Sequence, residues 1–147
     1  MIQGVIVQPL QQFADERGKV MHMLRSDSHI FEKFGEIYFS VVNQGAVKAW
    51  RLHREMTINL AVPFGKIRLV LYDDRKDSRT RGQTQEMMIG EDNYSLVKVP
   101  PKIWNGFQGM AAPISIIANC ATLPHDPKES TRLDHSDPYI PYQWACE

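Results

Sequence analysis

Apolar residues in this chain recur in short runs, and the clearest run alternates. Between positions 66 and 72, Ile67, Leu69 and Leu71 share one face while Arg68 takes the other. Alternation with a period of two is the signature of a strand buried on one side. The same reading predicts strands over residues 4–7, 20–24, 37–42, 46–52, 57–62, 66–72, 84–89, 96–99, 106–110 and 114–120. Turn-forming groups separate them: Glu16-Arg17-Gly18, Asn43-Gln44-Gly45, Pro63-Phe64-Gly65, Gly90-Glu91-Asp92-Asn93 and Pro100-Pro101. Short strands at this spacing predict an all-β sandwich or barrel.

One stretch carries helical signals. Ser26 or Ser28 can cap it, Ile30, Phe31 and Phe34 supply an apolar face, and Gly35 ends it, so a short helix is predicted. Residues 73–82 have too few apolar positions for an element and are expected to form a solvated, charged loop. Beyond Cys120 the character changes: residues 122–144 are rich in Pro, Asp, His and Tyr, without periodicity. That segment is too aromatic to be disordered and is expected to pack over the strands. No repeat, linker or second domain is visible, so residues 1–147 are expected to form one domain.

Composition narrows the function. The 17 basic and 17 acidic side chains cancel, which argues against nucleic acid as a partner, because phosphate contacts need a basic excess. Near-zero charge is compatible with self-association. The two cysteines, Cys120 and Cys146, make neither a disulfide framework nor a Cys-x-x-Cys pair. The first ten residues lack a charged region followed by a long apolar run, and no apolar run approaches the ~20 residues that span a bilayer. The expectation is a soluble cytoplasmic protein, reduced and without a membrane partner.

His53 is the residue on which chemistry is expected to turn. It ends the strand pattern Val47-Lys48-Ala49-Trp50-Arg51-Leu52-His53, the clearest strand setting of the five histidines. From there it can enter a barrel mouth and act as a base near neutral pH. A protein-bound metal is not expected: His53 is followed by Arg54 and Glu55, no histidine stands near Trp104-Asn105, and Arg51 and Arg54 would repel a cation. No Gly-x-Ser-x-Gly elbow, activated cysteine or Gly-rich phosphate loop is present. What remains is a histidine base held by a carboxylate and acting on a carbon acid. Asp137, Asp134 and Asp126 are candidate partners that spacing cannot separate. Arg17, Arg51, Arg68 and Arg75 can hold a diphosphate.

The order of motifs resembles one family. It runs Phe13-Ala14-Asp15-Glu16-Arg17-Gly18, Trp50-Arg51-Leu52-His53, Gly65-Lys66-Ile67, Tyr72-Asp73-Asp74-Arg75 with Ser78, Thr80 and Gly82, Val99-Pro100-Pro101 with Gly106-Phe107, Pro127 with Glu129, then Asp137-Pro138 and Trp144. This set is similar to the dTDP-4-dehydrorhamnose 3,5-epimerase family across nearly the whole chain. The resemblance implies a cupin-like β-barrel (a jelly roll) and a homodimer formed by strand exchange. It implies a nucleotide-linked 4-keto-6-deoxy sugar as substrate, with no metal and no cofactor. His53 would take the proton beside the ketone, Asp137 would orient His53, and Arg17 would contact the diphosphate, often across the dimer. Arg51 and Arg68 are further phosphate or sugar contacts, and Trp104 or Trp50 can stack on the ligand.

Departures accompany the match. The family's proton-donating tyrosine falls on Asn119, its enolate-stabilising lysine near Ile58 or Asn59, its second active-site histidine on Trp104 or Asn105, and a further tyrosine on His125. Asparagine is no general acid. A rebuilt donor would then be Tyr38, Tyr72 or His125, or water would serve. The expectation is a divergent epimerase or isomerase, with Asn105, Asn119 and His125 among the substrate contacts. The alternative is a non-catalytic nucleotide-sugar-binding or structural module.

Overall fold

The computed structural model describes residues 1–145, so Cys146 lies outside the described residues. Twelve strands follow one another: β1 (Ile6–Pro9), β2 (Gln12–Asp15), β3 (Gly18–Met21), β4 (Glu36–Asn43), β5 (Val47–His53), β6 (Ile58–Phe64), β7 (Lys66–Asp73), β8 (Thr84–Gly90), β9 (Ser95–Val99), β10 (Ile103–Gly109), β11 (Ile114–Ala121) and β12 (Ser130–Arg132). They form two five-stranded antiparallel sheets, β1-β9-β6-β11-β4 and β12-β5-β10-β7-β8, beside a β2–β3 hairpin.

Period-two alternation decides the architecture. Ile58, Leu60 and Val62 of the first sheet pack with Ile67, Leu69 and Leu71 of the second in one continuous core. Each sheet thus turns one face inward, as sheet-on-sheet packing requires. The expected closed barrel is not formed: among the described residues only the Gln44–Gly109 bridge links the end of β4 to the end of β10. Burial between the sheets replaces a ladder running round a barrel. The β6–β7 turn depends on Gly65, whose φ of 83° suits glycine and where a Cβ would collide with Ser115.

The predicted helix is absent. Residues 26–30 form turns and 31–35 run irregularly. The apolar set is too short to offset helix nucleation, and tertiary partners claim its backbone. Lys98 Nζ donates to the Ile30 carbonyl at 2.7 Å, and Gly35 N donates to Ala121 O at 2.8 Å. Ile30 is buried while Phe34 stays exposed.

The charged loop after β7 is an organised corner. The Asp73 carboxylate is fully buried and accepts from Arg75 Nε at 2.9 Å, from Arg75 N at 3.0 Å and from Thr80 Oγ1 at 2.7 Å. Burial pushes its pKa up, but the hydrogen bonds from Arg75, Ser78 and Thr80 outweigh it and hold the carboxyl far below the usual range. Arg75 Nη2 also donates to Gln3 O at 2.6 Å, which ties the start of the chain to this corner. Arg75 is therefore structural and not free to hold a diphosphate.

The C-terminal segment does pack over the strands. It adds β12 to the edge of the second sheet and lays Leu133, Ile140, Tyr142 and Trp144 on that sheet's outer face against Trp50, Val70 and Trp104. Gly106 permits this close approach, since a Cβ there would fall 2.5 Å from Ala49 Cβ and 3.1 Å from the rings of Trp50 and Trp144.

Candidate active site

A cavity of about 390 Å³ opens between the sheets, where the inward faces diverge. Strand parity selects its lining. From β5, Lys48, Arg51 and His53 share the inward face, because the β5–β10 register steps over Trp50 and shifts the parity, while Ala49 and Leu52 pack mainly with Trp50 in the outer cluster. From β10, Asn105 and Phe107 point in, and from β11, Ile117 and Asn119. From β4, Tyr38 and Ser40 line it, while Ile37, Phe39 and Val41 turn outward and are exposed.

His53 is buried on the wall contributed by the second sheet. Its Nδ1 lies 2.7 Å from Glu129 Oε1. Glu129 is buried too, and its Oε2 accepts from Glu55 N at 2.9 Å and Met56 N at 2.8 Å. Burial raises the Glu129 pKa, but the hydrogen bonds from His53, Glu55 and Met56 outweigh it, and the net displacement is downward. An ionised carboxylate only accepts, so Nδ1 carries the hydrogen, and in the neutral ring the lone pair is then on Nε2. Among the described residues Nε2 has no hydrogen-bond partner. Such an arrangement can hold a histidine in one tautomer and leave Nε2, on the cavity wall, able to accept a proton.

Positive charge surrounds that base. Arg51 and Arg132 face each other across the β5–β12 register, both line the cavity, and neither is ion-paired among the described residues. Burial lowers the pKa of Arg51, and the like charge of Arg132 lowers it further. Lys48 stands at the same cavity, with Nζ donating to Val41 O at 2.8 Å and Ser40 Oγ at 3.1 Å. Two unpaired guanidinium groups in a partly desolvated pocket attract an anion. Among the described residues no three His, Cys, Asp or Glu side chains are arranged to hold a metal ion.

Of the residues expected from sequence, the cavity brings together His53, Arg51, Asn105 and Asn119. Asn105 Nδ2 donates to Arg51 O at 3.0 Å and braces that strand. Five others lie elsewhere. Asp137 is not the partner of His53: its Oδ1 accepts from Tyr139 N at 2.9 Å. Asp126 and Asp134 make the same closure two residues on, to Lys128 N and Ser136 N. A short carboxylate readily folds back on its own backbone in this way, whereas glutamate's extra methylene lets Glu129 reach across. Arg68 is on the outer face of the second sheet, bonded to Gln108 Oε1 at 3.2 Å and paired with Glu86. Trp104 is a buried outer-cluster residue whose Nε1 donates to Asp74 Oδ2 at 3.1 Å. His125 is exposed and offers its backbone N to Glu36. Arg17 sits at the tip of the β2–β3 hairpin, paired with Asp15 at 2.7 Å, and does not line this chain's cavity.

A family model described as dTDP-4-dehydrorhamnose 3,5-epimerase matches residues 1–147. The chain belongs to this family. Its relatives include the probable low-salt glycan biosynthesis epimerase Agl13 of Haloferax volcanii, 36% identical over 99% of this chain and 96% of the relative. The spore coat polysaccharide biosynthesis protein SpsL of Bacillus subtilis is 31% identical over 100% of this chain and 99% of the relative. Among solved structures, a dTDP sugar isomerase from Desulfovibrio desulfuricans G20 superposes with a TM-score of 0.95 at 44% identity, covering 97% of this chain and 92% of that one. A dTDP-6-deoxy-D-glucose-3,5-epimerase from Legionella pneumophila, at 19% identity and a TM-score of 0.86, covers 97% of this chain and 79% of that one and shares the fold.

Within this epimerase-family chain, the residues at the cavity that the sequence did not point to are Glu129, which contacts His53, and Arg132 and Lys48, which line it. Lys48 escapes strict alternation from His53 and Arg51, which skips position 48; the register shift that steps over Trp50 places Lys48 opposite Phe107, on the cavity face. Glu129 stood among the quoted motifs, but without a role, because the three aspartates drew the search for a carboxylate.

Proposed function

We propose that this protein epimerises or isomerises a nucleotide-linked 4-keto-6-deoxy sugar, with His53 as the base. The observation that carries this reading is the buried His53–Glu129 pair, which leaves Nε2 facing a cation-lined cavity. A ketone acidifies the hydrogens on its neighbouring carbons. Nε2 removes one, the C–H pair becomes the C=C bond of an enolate, and the carbonyl pair moves onto oxygen. Arg51 and Arg132 supply the positive charge that such an oxyanion or a diphosphate requires. Family membership supports the substrate class. Agl13 and SpsL, whose names refer to glycan and polysaccharide biosynthesis, support a product destined for a surface glycan. A reducing, cytoplasmic setting belongs to the same reading, in which Cys120 is a buried free thiol.

The test is isotopic. Incubated with dTDP-linked 4-keto-6-deoxy sugars in deuterated water, the protein is expected to place deuterium on a carbon beside the ketone. Binding of such nucleotides without any exchange would instead favour a non-catalytic module.

The homodimer belongs to this proposal. β4 is an edge strand, and Ile37, Phe39 and Val41 on its outer face, with Phe64 nearby in sequence to the β6–β7 turn, are exposed. Phe13 and Val20 are exposed on the β2–β3 hairpin, and a lone two-stranded hairpin is marginal in water. A second copy would cover both surfaces and would give Arg17 a cavity to reach. Sedimentation equilibrium is expected to show a dimer at micromolar concentration, and Phe39→Glu combined with Val41→Glu to shift it towards monomer. A monomeric wild-type protein would refute this part.

A further inference from the structure

We propose that Tyr38 is the group that returns the proton to the sugar and that Asn119 is its positioning residue; this rests on the epimerase reading above. Inversion needs a base on one face of the carbon and an acid on the other. His53 belongs to β5 in the second sheet and Tyr38 to β4 in the first, and both line the cavity between the sheets. A sugar ring held between the sheets presents one face to each. The two other side chains named above as donors are elsewhere: Tyr72 packs edge-to-face on Tyr139 on the far side of the second sheet, and His125 is exposed and outside the lining.

The hydrogen bonds around Tyr38 have a fixed direction. Asn59 N, a backbone donor, points at Asn119 Oδ1 at 3.2 Å. That contact settles which end of the Asn119 amide is oxygen. Asn119 Nδ2 is then 2.8 Å from Tyr38 Oη and donates to it. The phenol oxygen accepts, so its own hydrogen is directed elsewhere, and no acceptor for it is found among the described residues. Asn119 and Tyr38 are direct cross-strand partners in the β11–β4 ladder, which makes the spacing between them a property of the sheet. Asn119 is itself buried, with Asn59 Nδ2 bonded to Cys120 O at 2.9 Å behind it.

The step balances as follows. His53 Nε2 holds the proton taken from carbon, and the enolate has formed. Tyr38 gives its hydroxyl proton to the same carbon from the opposite face, the C=C pair forms the new C–H bond, and the oxygen pair restores the carbonyl. Imidazolium and phenolate are left, and exchange with solvent returns one proton to the phenolate and removes one from the imidazolium. The arrangement thus assigns removal to one sheet and delivery to the other.

The two half-reactions can be measured apart. In deuterated water with a dTDP-linked 4-keto-6-deoxy sugar, Tyr38→Phe is expected to keep exchange beside the ketone within a few-fold of wild type, with configuration retained. Its yield of inverted product should fall about 100-fold. Asn119→Asp is expected to split the two rates in the same sense, since a carboxylate in place of the amide captures the Tyr38 proton, whereas a merely structural defect would depress both together. Wild-type inversion by Tyr38→Phe overturns the assignment, as does loss of exchange together with inversion in a folded variant. Absence of exchange in the wild-type protein overturns the epimerase reading and this assignment with it.

Discussion

His53→Asn is expected to lower turnover by at least about 10³-fold while leaving the protein folded. A positioned general base contributes about 10²–10⁴-fold, and His53 Nε2 is the one basic nitrogen on the cavity wall that is free of a protein partner among the described residues. Asparagine is the informative replacement because its amide can still donate to Glu129 Oε1. Alanine would leave that oxygen buried without a donor, and losing a hydrogen bond to a buried charged group costs about 1.5–3 kcal/mol. The alanine variant is therefore expected to be inactive and less stable, the asparagine variant inactive and close to wild type in thermal unfolding. Exchange should vanish in both, because removal of the proton is the step lost. Nucleotide affinity, measured by calorimetry with dTDP, should change little, since Arg51 and Arg132 remain. Exchange by His53→Asn within tenfold of wild type would place the base elsewhere.

Most of the sheet was legible from alternation. All ten expected strands overlap observed ones, and alternation is clearest in β7, where Ile67, Leu69 and Leu71 lie inward and Arg68 outward. The two strands that escaped lack that contrast. β2 is exposed along its whole length, and β12 spans three residues, too few to alternate. Both are strands by virtue of a neighbour, β3 or β5. The corner after β7 was read as solvated because its residues are polar, yet their polarity is spent on one buried carboxylate, Asp73.

The site was legible in part for the same reason. A period of two allows only one of two adjacent residues to face a cavity, so Trp104 and Asn105 could not both do so, and the β5–β10 register gives the place to Asn105. Arg68 was already opposite Ile67, Leu69 and Leu71; once those residues form the core between the sheets, Arg68 must lie outside it. Long-range partners were beyond reach. Glu129 is 76 residues from His53 and Asn119 is 81 from Tyr38, and nothing local marks either pair. The resemblance marks Asn119 as a departure, whereas its contact with Tyr38 comes from the strand beside it.

Glu129→Gln should be nearly as damaging as loss of His53, although it changes neither size nor shape. Two backbone donors, Glu55 N and Met56 N, converge on Oε2. In glutamine that position takes the carbonyl oxygen, which turns the amide NH₂ towards His53 Nδ1. Two donors cannot face each other, so His53 must present an unprotonated Nδ1 and move its hydrogen to Nε2, the nitrogen that has to accept the substrate proton. Replacing a carboxylate by an amide behind a histidine base costs about 10⁴-fold where this tautomer error has been isolated, and a loss of at least about 10³-fold is expected here on that ground. Substrate affinity should be nearly unchanged, and nitrogen-15 shifts of His53 should show the hydrogen on Nε2 in the variant and on Nδ1 in the wild type. Stability supplies an independent sign. The folded-state pKa of Glu129 lies below its ordinary value, so its ionised form stabilises the fold fully above the ordinary glutamate range, and this contribution is lost as pH falls through the folded-state value. Glutamine does not titrate. The unfolding free energy of wild type relative to Glu129→Gln should therefore be constant from neutral pH down to about pH 5 and shrink below it. Turnover within tenfold of wild type, with the wild-type tautomer intact, would make the pair a structural contact and not the arrangement that aims the base.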